Sequence, residues 1–475
     1  MEGNLRRAGV LFTLLSLLLV GNLSYLQVFG REKLRDNPAN TRRILEEYSV
    51  KRGRVITADG GVAAESLPGK GPYRYLRHYP QGPLLCHVIG YDSPQFGRTG
   101  LEEEYNDFLL GERPARSWAQ LMAMGEKEGN DLYLTLDLEV QRAAAQALGR
   151  RKGAVVAIDP RTGSVLALYS YPVFDPNELL DQGVNQEGRL LGELAMARYS
   201  KDPSSPLLNR ATMGLYPPGS GFKVVTSAAA LAHGITAAKT YFCPGVLPVD
   251  GSRVTNYGGR DYGTIDMETA LTYSVNTYFA QLALEVGAEG LYETAAAFGL
   301  NREPPLDLPS TVVSHIAGPR EMSRVDLAWT GVGQAELLLT PLQLCLIGCA
   351  LAHGGRIMKP HLLKEVRFRG EILSRYEPET WLTPVSPEVA SRVLGMMVEV
   401  VRSGTGKAAA ISGIRVAGKT GTAEVEGKPN HAWFLGVAPA DDPRVVVAVI
   451  VENAGGTGGE VAAPVAREVM KAALR

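Results

Sequence analysis

The chain has 475 residues, a formal net charge of −1 from 49 basic and 50 acidic side chains, and 45% hydrophobic residues. That length supports about one to three domains around a large core, and the neutral balance gives no basic surface for nucleic acid. Cys86, Cys243, Cys345 and Cys349 show neither metal-ligand nor pairing logic, and the seven histidines contain no His-x-x-x-His pair, which argues against a disulfide framework or a metal centre.

Ala8 to Gly30 carries no charged side chain and is rich in leucine. Such a run can cross the roughly 30 Å hydrocarbon layer as a helix. Residues 1–30 are therefore expected to be a short tail and an uncleaved membrane anchor, with a cleaved signal peptide or a buried helix as alternatives; no convincing small-x-small cleavage site follows. Arg6 and Arg7 precede the run, yet Arg31, Lys33, Arg35, Arg42 and Arg43 follow it, so charge bias does not set its orientation. The basic stretch reads as solvated or headgroup-facing. Residues 31–128 alternate short strand-like runs with Pro and Gly punctuation, the pattern of a compact membrane-proximal pedestal with no evident chemistry.

Residues 129–475 read as one further domain. Leu132–Leu136 is expected as a strand, Leu138–Leu148 as a helix, and 153–170 as a hairpin turning at Pro160-Arg161-Thr162-Gly163. A mostly helical region runs to about 410, followed by strands near 414–424, 431–438 and 444–451 and a closing helix from Pro464 to Leu474. The expected class is α+β: an antiparallel sheet assembled from the two ends of this segment, covered by helices, with a mostly helical subdomain.

Three short motifs lie in this domain. In Tyr216-Pro217-Pro218-Gly219-Ser220-Gly221-Phe222-Lys223, the prolines keep the chain extended before an apolar helix expected over Val224–His233 with Gly234 as its stop. Ser220 and Lys223 share one helix face, a hydroxyl beside an amine. A serine attacks a carbonyl only if a base takes its proton, and lysine, ordinarily near a pKa of about 10.4, serves only when burial or a neighbouring cation neutralises it. Lys419 is the candidate cation, and the positive end of the helix dipole acts in the same direction. Taken alone, Ser-x-x-Lys also describes an N-cap serine followed by a solvated lysine.

Ser274-Val275-Asn276 ends a helix-like run from Met267, placing a hydroxyl and an amide at alternate positions; a polar helix end capping itself would look the same. Lys419-Thr420-Gly421-Thr422 reads as the middle of a strand whose glycine marks close approach of a ligand or another backbone; an exposed hairpin fragment is the alternative. An extended peptide could add to that strand as an edge partner, its carboxylate meeting Lys419, Thr420 and Thr422. His431, beside the third motif, is expected to be a strand residue.

The ordered trio resembles the motif set of penicillin-binding proteins and serine β-lactamases. Other runs resemble the monofunctional class B penicillin-binding proteins: Gly153-Ala154-Val155-Val156-Ala157-Ile158-Asp159-Pro160, Asn209-Arg210-Ala211, Gly333-Gln334, Ala432-Trp433-Phe434, and towards the N-terminus Arg52-Gly53-Arg54-Val55 and Gly97-Arg98-Thr99-Gly100-Leu101-Glu102. Thr57-Ala58-Asp59 departs from the family's usual Asp-Arg-Asn run. The resemblance covers nearly the whole chain and is closest to the short type found with elongation and division machinery.

The resemblance implies a penicillin-binding transpeptidase fold and a peptidoglycan D,D-transpeptidase. Ser220 would form the acyl-enzyme, Lys223 act as base, and Ser274 relay a proton to the leaving amine. Asn276 would hold the acyl side, Lys419, Thr420, Gly421 and Thr422 the carboxylate end, and the backbone N–H groups of Ser220 and Thr422 the oxyanion. A D,D-carboxypeptidase or β-lactamase-type hydrolase and a non-catalytic β-lactam sensor or scaffold are the other readings. No cofactor is implied. Implied partners are stem peptides, β-lactams as covalent inhibitors and a membrane-embedded SEDS-family glycan polymerase, with the catalytic domain outside the cytoplasmic membrane.

Overall fold

The computed structural model describes residues 2–28, 41–69, 71–113, 127–309 and 311–475. Its central sheet has five antiparallel strands in the order Ala417–Val425, Lys428–Ala438, Val445–Val451, Gly153–Ile158 and Val165–Tyr171. Strands from the two ends of the domain thus meet at the Val445–Val451 and Gly153–Ile158 pairing. The sequence Val-Val-Val-Ala-Val-Ile-Val explains the central position, since β-branched side chains suit a pleated surface covered on both faces. Alternation along it is strict. Val445, Val447, Val449 and Val451 pack with Val140, Ala144 and Leu148 of the Leu138–Leu148 helix and Ala463, Ala466 and Val469 of the Gly458–Ala473 helix. Val446, Ala448 and Ile450 pack with the Pro341–Ala352 helix on the other face. The motif strand Ala417–Val425 forms one edge of the sheet.

Two expectations need correction. The closing helix begins at Gly458 instead of Pro464, because Thr457 and Glu460 form a reciprocal capping box and Pro464 lies inside the helix. The region up to residue 410 is less helical than expected. Tyr241–Cys243 pairs with Gly263–Ile265, Val246–Val249 pairs with Ser252–Thr255, and Leu363–Phe368 forms a hairpin with Glu371–Arg375.

That last hairpin joins the N-terminal sheet, whose order is Glu371–Arg375, Leu363–Phe368, Asp131–Leu134, Val55–Ile56, Val62–Pro68 and Tyr75–His78. Asp307 ties the seam: it accepts from the Leu362 and Leu363 N–H groups at 2.6 and 2.8 Å and from the Tyr105 hydroxyl at 2.8 Å. In the same region Glu102 receives Arg52 and Arg77 at 2.9 and 2.7 Å, so the two N-terminal motifs meet in a buried ion pair.

Glu2–Val28 forms one helix of 27 residues. Among the described residues no helix is long and apolar enough to cross a membrane, so a membrane span is not shown. Gly30, where the expected anchor ends, and Arg31, Lys33 and Arg35 lie outside the described residues. The four cysteines are free and buried.

Candidate active site

The segment that carries Ser220 is built by close backbone approach. Gly219–Phe222 form a 3-10 turn that runs directly into the Lys223–Ala232 helix, so the α-helix starts at Lys223 and ends beside Gly234, whose φ of +83° makes it the expected stop. Ser220, half-buried, lies in the 3-10 turn, where three residues per turn stack it in line with Lys223. Gly219 has a φ of +52°, and a Cβ there would lie 2.5 Å from the Thr422 carbonyl oxygen. On its other side Gly333 is so close that a Cβ would lie 1.8 Å from the Gly219 oxygen. A Cβ on Gly421 would meet the Pro218 oxygen at 2.7 Å and the Gly221 nitrogen at 3.2 Å. The glycine within the third motif therefore lets the strand seat itself against the Ser220 turn. Trp433 Nε1 donates to the Pro217 oxygen at 3.0 Å, and Gly219 N–H to the Gly333 oxygen at 2.9 Å.

Lys223 and Lys419 are both fully buried. Lys223 Nζ contacts the Ser274 carbonyl at 2.8 Å, Asn276 Oδ1 at 2.6 Å and Ser274 Oγ at 3.2 Å. Lys419 Nζ donates to the same Ser274 Oγ at 2.9 Å and to the Thr420 carbonyl at 2.9 Å. One hydroxyl thus bridges two lysines. Ser274 can occupy that position because it caps the Met267–Tyr273 helix in the left-handed region, φ 60°, and Val275 leads straight into the Asn276–Ala297 helix. Lys223 Nζ also lies 5.4 Å from the Phe279 ring centroid.

Two buried ammonium groups around one hydroxyl repel each other and lack the water that would stabilise their charge. Burial first, then the charge of Lys419, pushes Lys223 well below the ordinary lysine value. Burial lowers Lys419 to about 7. The consistent state near neutrality has Lys223 uncharged. Its two N–H groups serve the Ser274 and Asn276 carbonyl oxygens, while its lone pair accepts from the Ser274 hydroxyl, which in turn accepts from Lys419.

The sequence reading carried the Lys223 amine toward Ser220. In the structure its hydrogen bonds go to Ser274 and Asn276 instead, because a buried amine takes the carbonyl acceptors within reach. Asn276 is engaged at both ends, its Nδ2 donating to the Thr255 oxygen at 2.7 Å, which leaves one N–H free for a ligand. Thr420 shares a 2.7 Å contact with Thr405, and Thr422 Oγ1 accepts from Gly458 N–H at 3.3 Å.

Sequence reasoning missed Thr405; its only signal was the run of small residues Ser403-Gly404-Thr405-Gly406. It also missed Glu452, whose Oε1 receives both Arg210 Nε and the hydroxyl of Tyr216, the residue that opens the Ser220 segment, at 2.7 Å. His431 is a strand residue: its Nδ1 accepts from Asn453 N–H at 3.0 Å and its ring meets Tyr216 edge-on at 5.5 Å. Among the described residues no group of His, Cys, Asp and Glu could hold a metal ion.

Residues 153–471 match the family described as penicillin binding protein transpeptidase domain, and residues 52–131 match the penicillin binding protein A dimerisation domain. The peptidoglycan D,D-transpeptidase PbpA of Mycolicibacterium smegmatis is 37% identical over 497 residues, covering 100% of this chain and 99% of that protein. The ceftriaxone acyl-enzyme complex of penicillin-binding protein A from M. tuberculosis superposes with a TM-score of 0.85 at 36% identity, covering 91% of this chain and 100% of that one. The penicillin G acyl-enzyme of the same protein gives 0.82 at 35% identity, covering 90% of this chain and 100% of that one. With its glycine-seated serine turn and paired buried lysines, the chain belongs to the class B penicillin-binding protein family.

Proposed function

We propose that the protein is a peptidoglycan D,D-transpeptidase that cross-links stem peptides through an acyl-enzyme on Ser220. The observation that carries this reading is the Ser274 hydroxyl held between two buried lysines beside the Ser220 turn. Donor peptide adds along the edge strand Ala417–Val425 with its terminal carboxylate toward Lys419, Thr420 and Thr422, while Asn276 holds its acyl side. Ser220 attacks the carbonyl of the penultimate D-Ala. Its proton passes to Lys223 as the amine turns its lone pair away from Ser274, a contact that tightens only once substrate is bound. The backbone N–H groups of Ser220 and Thr422 stabilise the oxyanion. Ser274 hands a proton to the departing D-Ala, and Lys419 replenishes it. An amine from a second stem then resolves the ester.

The test is acylation by a labelled penicillin, located by mass spectrometry, followed by incubation with stem peptide and a D-amino acid acceptor. Label at Ser220 with formation of the exchanged peptide supports the reading. Rapid loss of label with free acid as sole product would make the protein a hydrolase, and label on Ser220→Ala at full yield would refute the site.

The Glu2–Val28 helix acts as the anchor in this proposal. Support comes from the uncharged stretch Ala8–Val28 and from Val10, Leu11, Phe12, Leu14, Leu15 and Leu17–Val20, whose large apolar side chains are exposed. Residues 31–128 then form the pedestal beneath the domain 129–475, outside the cytoplasmic membrane. A SEDS-family glycan polymerase as partner rests on the family resemblance. Co-purification in detergent with the full chain, and its loss on deleting residues 1–28, would support both; retention would separate partner from anchor.

A further inference from the structure

The loop Asn256–Tyr262 brackets the Ser274-Val275-Asn276 turn from both sides. At its start, Thr255 accepts from Asn276 Nδ2, and buried Asn256 receives Thr277 N–H at 3.0 Å while its own Nδ2 contacts the Pro244 and Arg260 oxygens and Thr277 Oγ1 at 3.1, 2.9 and 3.1 Å. At its end, Tyr262 stacks on Tyr273, the residue before Ser274, at 6.4 Å and 29°, and Arg260 lies over the Tyr262 ring at 4.8 Å. The peptide between these clamps turns on Gly258 and Gly259, both in the left-handed region. The loop is therefore held rigidly, yet it leaves Tyr257 84% exposed. Arg260 is exposed too, with no carboxylate within ion-pair distance among the described residues; Asp261 next to it turns back to accept from Gly263 N–H at 2.7 Å. A large aromatic ring and an unpaired guanidinium on a preorganised loop beside a reactive site are the groups by which peptide planes and carboxylates are recognised.

From this bracketing we propose that Tyr257 and Arg260 bind the donor stem peptide upstream of the bond that Ser220 attacks, Tyr257 stacking on its backbone and Arg260 pairing with an upstream carboxylate, and so select which stems are accepted. The proposal rests on the transpeptidase reading, because it is Asn276, held by the same loop, that faces the acyl side of the donor. Small β-lactams that lack an acyl side chain carry no group equivalent to the upstream stem, and so serve as the control.

The experiment uses the full chain with Tyr257→Ala, Tyr257→Phe and Arg260→Gln. D-Ala release is followed from two donors ending in D-Ala-D-Ala: a pentapeptide with free upstream carboxylates, and diacetyl-lysyl-D-Ala-D-Ala, which has none. Acylation of Ser220 by 6-aminopenicillanic acid is measured in parallel. Tyr257→Ala should lower kcat/KM about tenfold on both peptides, with Tyr257→Phe close to wild type. Arg260→Gln should lower it about fivefold on the carboxylated stem alone. The small β-lactam should acylate all three variants at about the wild-type rate. Peptide kinetics that do not change, or a parallel loss with the β-lactam, would overturn the proposal. A wild-type chain that takes up the β-lactam but releases no D-Ala would instead refute the transpeptidase reading, and this one with it.

Discussion

Removing the charge of Lys419 should move the pH dependence of acylation in a direction set by the geometry. Both lysine amines contact Ser274 Oγ, at 3.2 and 2.9 Å, so they lie no farther apart than the sum of those distances. At about 6 Å and an effective dielectric constant of about 20, two such charges repel by about 3 kcal/mol, roughly a hundredfold in the protonation equilibrium of Lys223. Lys223 must be neutral to act as a base, so the rate rises with pH as it loses its proton. That happens well below the ordinary lysine value, because of burial first and then the charge of Lys419, itself lowered to about 7. Lys419→Gln removes the repulsion, raises the Lys223 value and shifts the acid limb to higher pH. Burial, the larger cause, remains, so the limb stays below that of a free lysine. The wild-type profile should also fall again near pH 7 as Lys419 loses its charge, and the variant should lack that descent. The assay is the second-order acylation rate with a fluorescent penicillin between about pH 4 and 10, compared by shape, because the variant also weakens carboxylate binding at every pH. An acid limb that stays in place or moves to lower pH would refute the coupling.

Lys223→Met should lower acylation by about 10² to 10⁴ with little loss of fold, measured by the same assay and by thermal melting. Gly333→Ala places a Cβ 1.8 Å from the Gly219 oxygen at a φ of +91°; strain and overlap together should cost about 2–4 kcal/mol and slow acylation by displacing the nucleophile turn. Gly395→Ala, in the Pro387–Arg402 helix with open space around it, should instead stabilise by about 0.5–1 kcal/mol, and denaturant unfolding distinguishes the two. Glu452 titrates below its ordinary value near 4.5: burial opposes its charge, but Tyr216 and Arg210 outweigh it. With a depressed folded value, its contribution to stability is present above 4.5 and is lost as pH falls through that folded value. Melting temperature should therefore drop more steeply in acid for wild type than for Glu452→Gln, whose stability at neutral pH is lower because buried Arg210 has lost its carboxylate.

Local chemistry made much of the site legible. The spacing of Ser220 and Lys223, the glycine within Lys419-Thr420-Gly421-Thr422 and the order of the three motifs each carry a physical reason that reads along the chain. Short-range pattern also located the sheet strands to within a few residues, since Val445–Val451 has no alternative to burial on both faces. The closing helix was placed too late because proline was read as its start, when the Thr457–Glu460 capping box was the stronger signal. The hairpin Leu363–Arg375 was missed for a different reason: its first strand pairs with Asp131–Leu134, more than two hundred residues earlier, and no local pattern marks that partnership.

By itself the sequence determined which functional groups are present, their order along the chain and the alternation that makes the sheet. Tertiary structure decided which of those groups share a hydroxyl. Charge state follows from that decision, because burial and the approach of Lys419 together hold Lys223 furthest from the ordinary lysine value, and both arise only in the folded chain. Lys223 and Lys419, nearly two hundred residues apart, meet at Ser274 only once the sheet has closed.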